Sequence, residues 1–249
     1  MKELDGKVAL VTGVGRPEGI GVAICQKLAA EGANVFYTYW HPYDTEHFTN
    51  TIDPDEFTQL LAKQGVQAEG VEMDLSRPDS PQKLFRLAHD KFRHVDFLIN
   101  NACYDRSVPF TELSDAILDK HYAVNLRATA LLCSAFVRAW TEKSGGRIIN
   151  VTSGQSYGPM NVDQIPYTTT KAGLEMLAVQ LAPGIKELGI TINAIDPGPT
   201  DTGWMDEGLK AKLQQESIVN QPYQVAEAIY LLLLDSAADK TGQVVHVGR

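Results

Sequence analysis

Seven short apolar runs recur through this chain, and between them lie stretches whose apolar residues fall three and four positions apart. The runs Val8-Ala9-Leu10-Val11-Thr12 and Arg147-Ile148-Ile149-Asn150-Val151-Thr152 are typical. A continuous apolar run is the mark of a strand buried on both faces, and strands of that kind belong to parallel sheets. Parallel neighbours need a crossover, which a helix supplies. The pattern therefore predicts strands at 8–12, 35–40, 68–75, 95–100, 147–152, 191–196 and 244–247. It predicts helices at 21–31, 55–64, 84–92, 114–143, 167–188 and 223–234. The fold class that follows is α/β: a doubly wound, mostly parallel seven-stranded sheet with helices on both faces. No repeat, low-complexity tract or linker divides it, so residues 1–249 read as one domain. Two segments stand outside the alternation. Residues 41–54 look inserted between the second strand and its helix. Residues 197–216, rich in Gly, Pro and Asp, are placed to act as a substrate loop or lid.

Composition narrows the partners. The net charge of −9 argues against nonspecific binding to nucleic acid or to an anionic membrane. No apolar run approaches the ~20 residues of a membrane span; the longest, 226–234, is broken by Glu227. The first residues, Met1-Lys2-Glu3-Leu4-Asp5-Gly6-Lys7, lack the apolar core of an export signal. Three scattered cysteines, Cys25, Cys103 and Cys133, do not form a disulfide framework. The six histidines show no metal-ligand spacing, and no metal is expected. A reducing, cytoplasmic setting and a small-molecule substrate are the expectations.

Between the first strand and the first helix lies Thr12-Gly13-Val14-Gly15-Arg16-Pro17-Glu18-Gly19-Ile20-Gly21. Glycines at a strand-to-helix turn let a pyrophosphate approach the backbone, and the helix N-terminus adds N–H groups and a favourable dipole. The second strand tests which dinucleotide. A carboxylate at its end would accept from the adenosine ribose 2′-hydroxyl and repel a 2′-phosphate. The chain offers Tyr37-Thr38-Tyr39-Trp40 there, with no carboxylate, and Arg16 in the glycine loop is suited to a 2′-phosphate. NADP(H) is therefore favoured over NAD(H).

Tyr167 and Lys171 are four residues apart on a predicted helix and so share a face. A lysine beside a tyrosine is expected to stabilise its phenolate and lower a pKa normally near ~10. A phenol tuned in that way can exchange a proton with an alcohol or ketone oxygen. Ser153 lies fourteen residues upstream, with Asn125 further back.

Taken in order, these motifs make the chain resemble the short-chain dehydrogenase/reductase family over nearly its whole length. The matching residues are Thr12-Gly13 with Gly19-Ile20-Gly21, Asp74-Leu75, Asn100-Asn101-Ala102, Asn125, Ser153, Tyr167 with Lys171, and Pro197-Gly198 with Thr200 and Thr202. It looks most like the 3-oxoacyl-[acyl-carrier-protein] reductase-like members. The resemblance implies a Rossmann-type fold and an NADP(H)-dependent oxidoreductase. Tyr167 would be the general acid in reduction, and Ser153 would donate to the carbonyl oxygen. Lys171 would depress the tyrosine and bind nicotinamide ribose hydroxyls, while Asn125 would hold a water that resupplies protons. Gly13, Arg16, Gly19, Ile20, Gly21 and Tyr39 would bind the cofactor. Asp74 and Leu75 would flank adenine, Asn101 and Ala102 would line the cofactor with backbone groups, Thr202 would contact the nicotinamide carboxamide, and Tyr167, Lys171, Pro197, Gly198 and Thr200 would also bind the cofactor. A 3-oxoacyl thioester is the implied substrate, and the implied assembly a homotetramer or homodimer. The alternatives are a dehydrogenase of another alcohol (a sugar, a steroid-like compound or a small ketone) and a cofactor-sensing regulatory protein.

The chain departs from the family pattern at four points. Five residues separate Gly13 from Gly19, where three are usual; Cys103 replaces a glycine; the Ser153–Tyr167 spacing is one longer than the commonest; and Pro183-Gly184 falls inside the helix after Lys171. Ser156 is a weaker candidate than Ser153. Tyr37, Tyr39, Trp40 and Tyr43 read mainly as a cover for strand ends, with a wall for adenine as the functional option. Trp204-Met205 is placed either to cap an apolar substrate or simply to pack. His89, His94 and His121 read as solvated helix residues, and His246 as a satisfied structural histidine.

Overall fold

A computed structural model of the chain describes residues 2–157, 162–204, 208, 210–211, 215 and 218–248. Seven parallel strands form one sheet in the order β3-β2-β1-β4-β5-β6-β7. They are β1 (Val8–Thr12), β2 (Asn34–Tyr39), β3 (Ala68–Glu72), β4 (Phe97–Asn100), β5 (Gly146–Val151), β6 (Ile190–Asp196) and β7 (Val244–His246). The helices are α1 (Ile20–Ala30), α2 (His41–His47), α3 (Pro54–Ala62), α4 (Ser80–Phe92), α5 (Asp115–His121), α6 (Thr129–Ala139), α7 (Ile165–Ile185) and α8 (Pro222–Leu233). None of them is long and apolar enough to cross a membrane, among the described residues.

Alternation within the apolar runs builds both faces. Ala9, Val11, Phe97, Ile99, Ile149 and Val151 point into a core shared with α1, α3 and α8. Leu10, Leu98, Ile148, Ile192 and Ala194 point into a second core with α4, α6 and α7. Period-two geometry thus gives each strand two apolar faces, which is why its sequence reads as unbroken. The order reverses between β1 and β4, the place where open α/β sheets take ligands beyond their carboxyl ends.

Three stretches differ from the sequence expectation. Residues 114–143 do not form one helix. Between α5 and α6 runs a π-helical segment, Tyr122–Ala128, and α6 stops at Ala139. Residues 41–54 contain α2, with Pro42 in its first turn, followed by Asp53, whose side chain caps α3 by accepting from the N–H groups of Asp55 and Glu56. Helix α7 runs through Pro183; that residue and Gly184 are exposed near its end, so the lost hydrogen bond falls where solvent can replace it. The expected lid, 197–216, is described as far as Trp204 and at scattered positions beyond, and Met205 lies outside the described residues.

Candidate active site

The segments that follow the strands surround a cavity of about 1300 Å³. Every residue expected to bind cofactor lines it: Gly13, Arg16, Gly19, Ile20, Gly21, Tyr39, Asp74, Leu75, Asn101, Ala102, Tyr167, Lys171, Pro197, Gly198, Thr200 and Thr202. Ser153 lines it as well, whereas Asn125 lies behind the wall, fully buried.

At the glycine loop the backbone is tightly packed. Gly13 has φ 75°, and a Cβ there would lie 2.5 Å from Ala102 Cα. A Cβ on Gly21 would lie 2.5 Å from Gly13 O. Neither position tolerates a side chain. Thr12 Oγ1 accepts from the N–H groups of Asn101 and Ala102, each at 3.0 Å. Asn101 Nδ2 in turn donates to the Thr12 and Gly13 carbonyls, each at 2.9 Å. These bonds lock the loops after β1 and β4 together around the cavity. The glycine cradle, the open helix start at Ile20 and a cavity of this size fit a dinucleotide.

The catalytic candidates gather at the start of α7. Pro166 in the first turn pre-sets the helix, and Tyr167 and Lys171 stand one turn apart with Lys171 Nζ 5.6 Å from the Tyr167 ring centroid. Lys171 Nζ donates to Val151 O at 2.8 Å, at the end of β5. Ser153 faces the same cavity as Tyr167, and its influence favours the phenolate against the effect of burial. Ser156 is engaged elsewhere, 2.9 Å from Ser153 O and 2.8 Å from Glu175 Oε1.

The electrostatics correct one expectation. Burial drives the Tyr167 phenol well above its ordinary value, and the potentials of Cys103, Asp105 and Tyr43 add to the rise, opposed by Ser153. Burial also lowers Lys171, against Cys103 and Asp105, which raise it. In the protein alone desolvation is the largest influence on Tyr167 and favours its neutral form.

Asn125 is likewise committed. Its Oδ1 accepts from Tyr104 N–H at 2.7 Å, and its Nδ2 donates to Tyr104 O at 2.9 Å and to Thr170 Oγ1 at 3.0 Å. Both amide hydrogens are spent, so a water on Asn125 has to be held through an oxygen. The side chain acts first as a clamp between the loop after β4 and the catalytic helix.

Arg16 is already engaged by its neighbours. Its guanidinium lies 4.1 Å above the Phe48 ring and 5.4 Å from that of Trp204, and Nη1 donates to Thr202 O at 2.7 Å. It bridges the glycine loop to the segment after β6. The aromatic group near β2 divides in two. Tyr37 is core, its hydroxyl bound to Pro54 O at 2.8 Å, whereas Tyr39, Trp40 and Tyr43 line the cavity.

Several cavity residues escaped the sequence reading. Asp44 on α2 and Phe48 just past it lie over the cleft beside Tyr43, for which a wall for adenine is the functional option; the signals available were Pro42 at a helix start and the polar-aromatic spacing that follows. Asp105 is buried, with Oδ2 accepting from Gln164 Nε2 at 2.6 Å. Gln164 Oε1 accepts from Gln155 Nε2 at 2.9 Å. His121, expected in solvent, is fully buried; its Nδ1 lies 2.8 Å from Ile117 O, and its Nε2 accepts from Arg106 N–H at 3.2 Å. His246 pairs with Asp196 at 2.9 Å. Cys103 lines the cavity and is partly buried.

Comparison with known proteins agrees with this geometry. The sequence profile of the short chain dehydrogenase family matches residues 7–213. An uncharacterized oxidoreductase, YjdA of Bacillus subtilis, is 36% identical over 251 residues, covering 99% of this chain and 97% of that protein. The 3-oxoacyl-[acyl-carrier-protein] reductase of Aquifex aeolicus is 33% identical over 251 residues, covering 98% and 97%. A short chain dehydrogenase from Burkholderia cenocepacia, solved in complex with NADP, superposes with a TM-score of 0.87 at 25% identity, covering 98% of this chain and 97% of that one.

Proposed function

The chain belongs to the short-chain dehydrogenase family, and from that premise we propose that it reduces a ketone to a secondary alcohol with NADP(H), or oxidises the matching alcohol. The observation that carries this reading is that Ser153, Tyr167 and Lys171 line one cavity, with Lys171 one turn along α7 from a phenol that burial favours in its neutral form. A neutral phenol is the form that gives a proton. Bound nicotinamide supplies the hydride. Tyr167 delivers the proton to the carbonyl oxygen, and Ser153 donates a hydrogen bond to the same atom, where negative charge develops. Lys171, with one donor on Val151 O, keeps N–H groups for the nicotinamide ribose hydroxyls. Asn101, Ala102, Asp74 and Leu75 line the dinucleotide site.

NADP(H) is the favoured cofactor because β2 ends at Tyr39 without a carboxylate. Arg16 would have to leave Thr202 to meet a 2′-phosphate, so it supports that preference less directly. A 3-oxoacyl thioester is the proposed substrate, supported by the 33% identity to the Aquifex aeolicus reductase. Met176 and Val179, exposed apolar side chains on α7, support assembly as a homodimer or homotetramer, and the three free cysteines support a reducing, cytoplasmic setting.

The test is NADPH oxidation followed by absorbance, with an acetoacetyl thioester and a panel of small carbonyl compounds. Tyr167→Phe is run beside the unmodified protein. Thioester turnover that falls by about 10²–10⁴ in the variant, with NADPH binding retained, supports the whole reading. Turnover of other ketones alone keeps the mechanism and removes the thioester. An unchanged rate in the variant removes Tyr167 as the acid. NADPH binding with no turnover of any compound favours the regulatory alternative.

A further inference from the structure

The carboxylate missing from the end of β2 is returned by α2. Gly15, in the middle of the glycine loop, has no side chain, and the Asp44 carboxylate fills the space where a Cβ would stand. Both residues line the cavity, together with Thr38, Tyr39 and Asp74 at the β2–β3 end. The placement is built from several sides. Ile52 N–H donates to Gly15 O at 3.0 Å, so the chain leaving α2 is tied to the same glycine. The Tyr43 hydroxyl accepts from Asp105 N–H at 3.1 Å and donates to Asp105 O at 3.2 Å. Phe48, just past the helix, packs 5.1 Å from Trp204 and carries the Arg16 guanidinium on its other contacts. Asp44 is thereby held against the glycine loop that a dinucleotide must cross, on the helix that directly follows β2.

We propose that Asp44 is a cofactor-specificity residue: it accepts a hydrogen bond from the adenosine ribose of an unphosphorylated dinucleotide and disfavours a 2′-phosphate. The inference rests on the dinucleotide reading above and not on the identity of the carbonyl substrate. Its consequence is a narrow preference for NADP(H). The bare end of β2 admits the 2′-phosphate, while the Asp44 carboxylate keeps NAD(H) competitive. Arg16, whose charge acts on Asp44, offsets part of the repulsion, while its Thr202 bond and its seat on Phe48 hold the guanidinium in place. Among the described residues Asp44 has no ion-pair partner within 4.0 Å, although the Arg16, His41 and His47 charges act on it from farther off.

The test uses adenosine fragments that need no nicotinamide and no turnover. Affinities of 5′-ADP and 2′,5′-ADP are measured by isothermal titration for the unmodified protein, Asp44→Asn and Asp44→Ala, with thermal melts to confirm folding. NADH and NADPH titrations follow. The expected result is weaker 5′-ADP and NADH binding and tighter 2′,5′-ADP and NADPH binding in Asp44→Asn. Their ratio should move about tenfold, the scale of one charge-assisted hydrogen bond. Asp44→Ala should move it in the same direction. A ratio that stays put in both variants overturns the proposal. A parallel loss of both fragments also overturns it, because that is the signature of a prop for the glycine loop. If the ratio moves as expected but no carbonyl compound is turned over, the reaction reading fails and Asp44 stands. If the unmodified protein binds neither fragment, the dinucleotide reading and this inference fall together.

Discussion

Tyr167 has to be a phenol when a ketone is reduced and a phenolate when an alcohol is oxidised. Burial and the potentials of Cys103 and Asp105 set its pKa above the ordinary value in the protein alone. The sign for activity follows. Below that raised pKa the side chain is the protonated acid, so reduction should be flat through neutral pH and decline only on the alkaline side. Oxidation needs the deprotonated form and should rise as pH is raised over the same range. Rates in both directions across a pH series, extrapolated to saturating cofactor, check this. A reduction rate that falls steeply as pH rises through neutrality would contradict the burial argument. The residue types and spacings of Ser153, Tyr167 and Lys171 were legible in the chain because one helical turn and one strand end bring them together. The direction of the tyrosine shift was not. It depends on how much water the fold excludes, and on Asp105 and Tyr43, which reach the site from distant segments.

At the scale of elements, the strands and most helices were readable because apolar period carries their burial directly. Residues 8–12 and 147–152 name two faces each by simple alternation, and the cores contain those side chains. Two elements were not readable, for different reasons. Helix α2 has seven residues and no buried side chain, so it leaves no apolar stripe; its position comes from Tyr43, Phe48 and Asp44 contacting other loops. The π segment between α5 and α6 has the same composition as its flanks, and a wider hydrogen-bond register has no sequence mark of its own. That segment matters because it carries Asn125, whose carboxamide satisfies both backbone groups of Tyr104. Asn125→Ala leaves that part-buried N–H and C=O without their partner, at about 1–2 kcal/mol each, the lower part of the range for a buried group. We expect a loss of roughly 2–4 kcal/mol in denaturant unfolding, together with a large fall in turnover. A variant with unchanged stability but lost turnover would instead assign Asn125 a role in proton transfer alone.

Across the whole molecule, the sheet brings seven loops to one end, and the cavity they form is lined from Gly13 near the amino terminus to Val247 and Gly248 after β7. A dinucleotide held there would touch segments from both halves of the sheet, and the unfolded chain offers no such site. Binding must then stabilise the fold by mass action. At a free concentration about 100 times Kd the gain is about 2.7 kcal/mol. For a chain of 249 residues, each kcal/mol moves the melting midpoint by about 2–4 °C. NADPH at that concentration should therefore raise the midpoint by roughly 5–11 °C. On the proposed mechanism the Tyr167 phenol acts on the substrate oxygen, so Tyr167→Phe should keep most of the shift. The melts thus separate binding from chemistry. A shift retained in the inactive variant places the phenol in the reaction, whereas a shift lost with activity would make Tyr167 part of the cofactor site instead. No shift in the unmodified protein would leave the cavity without the ligand its glycine cradle is built to hold.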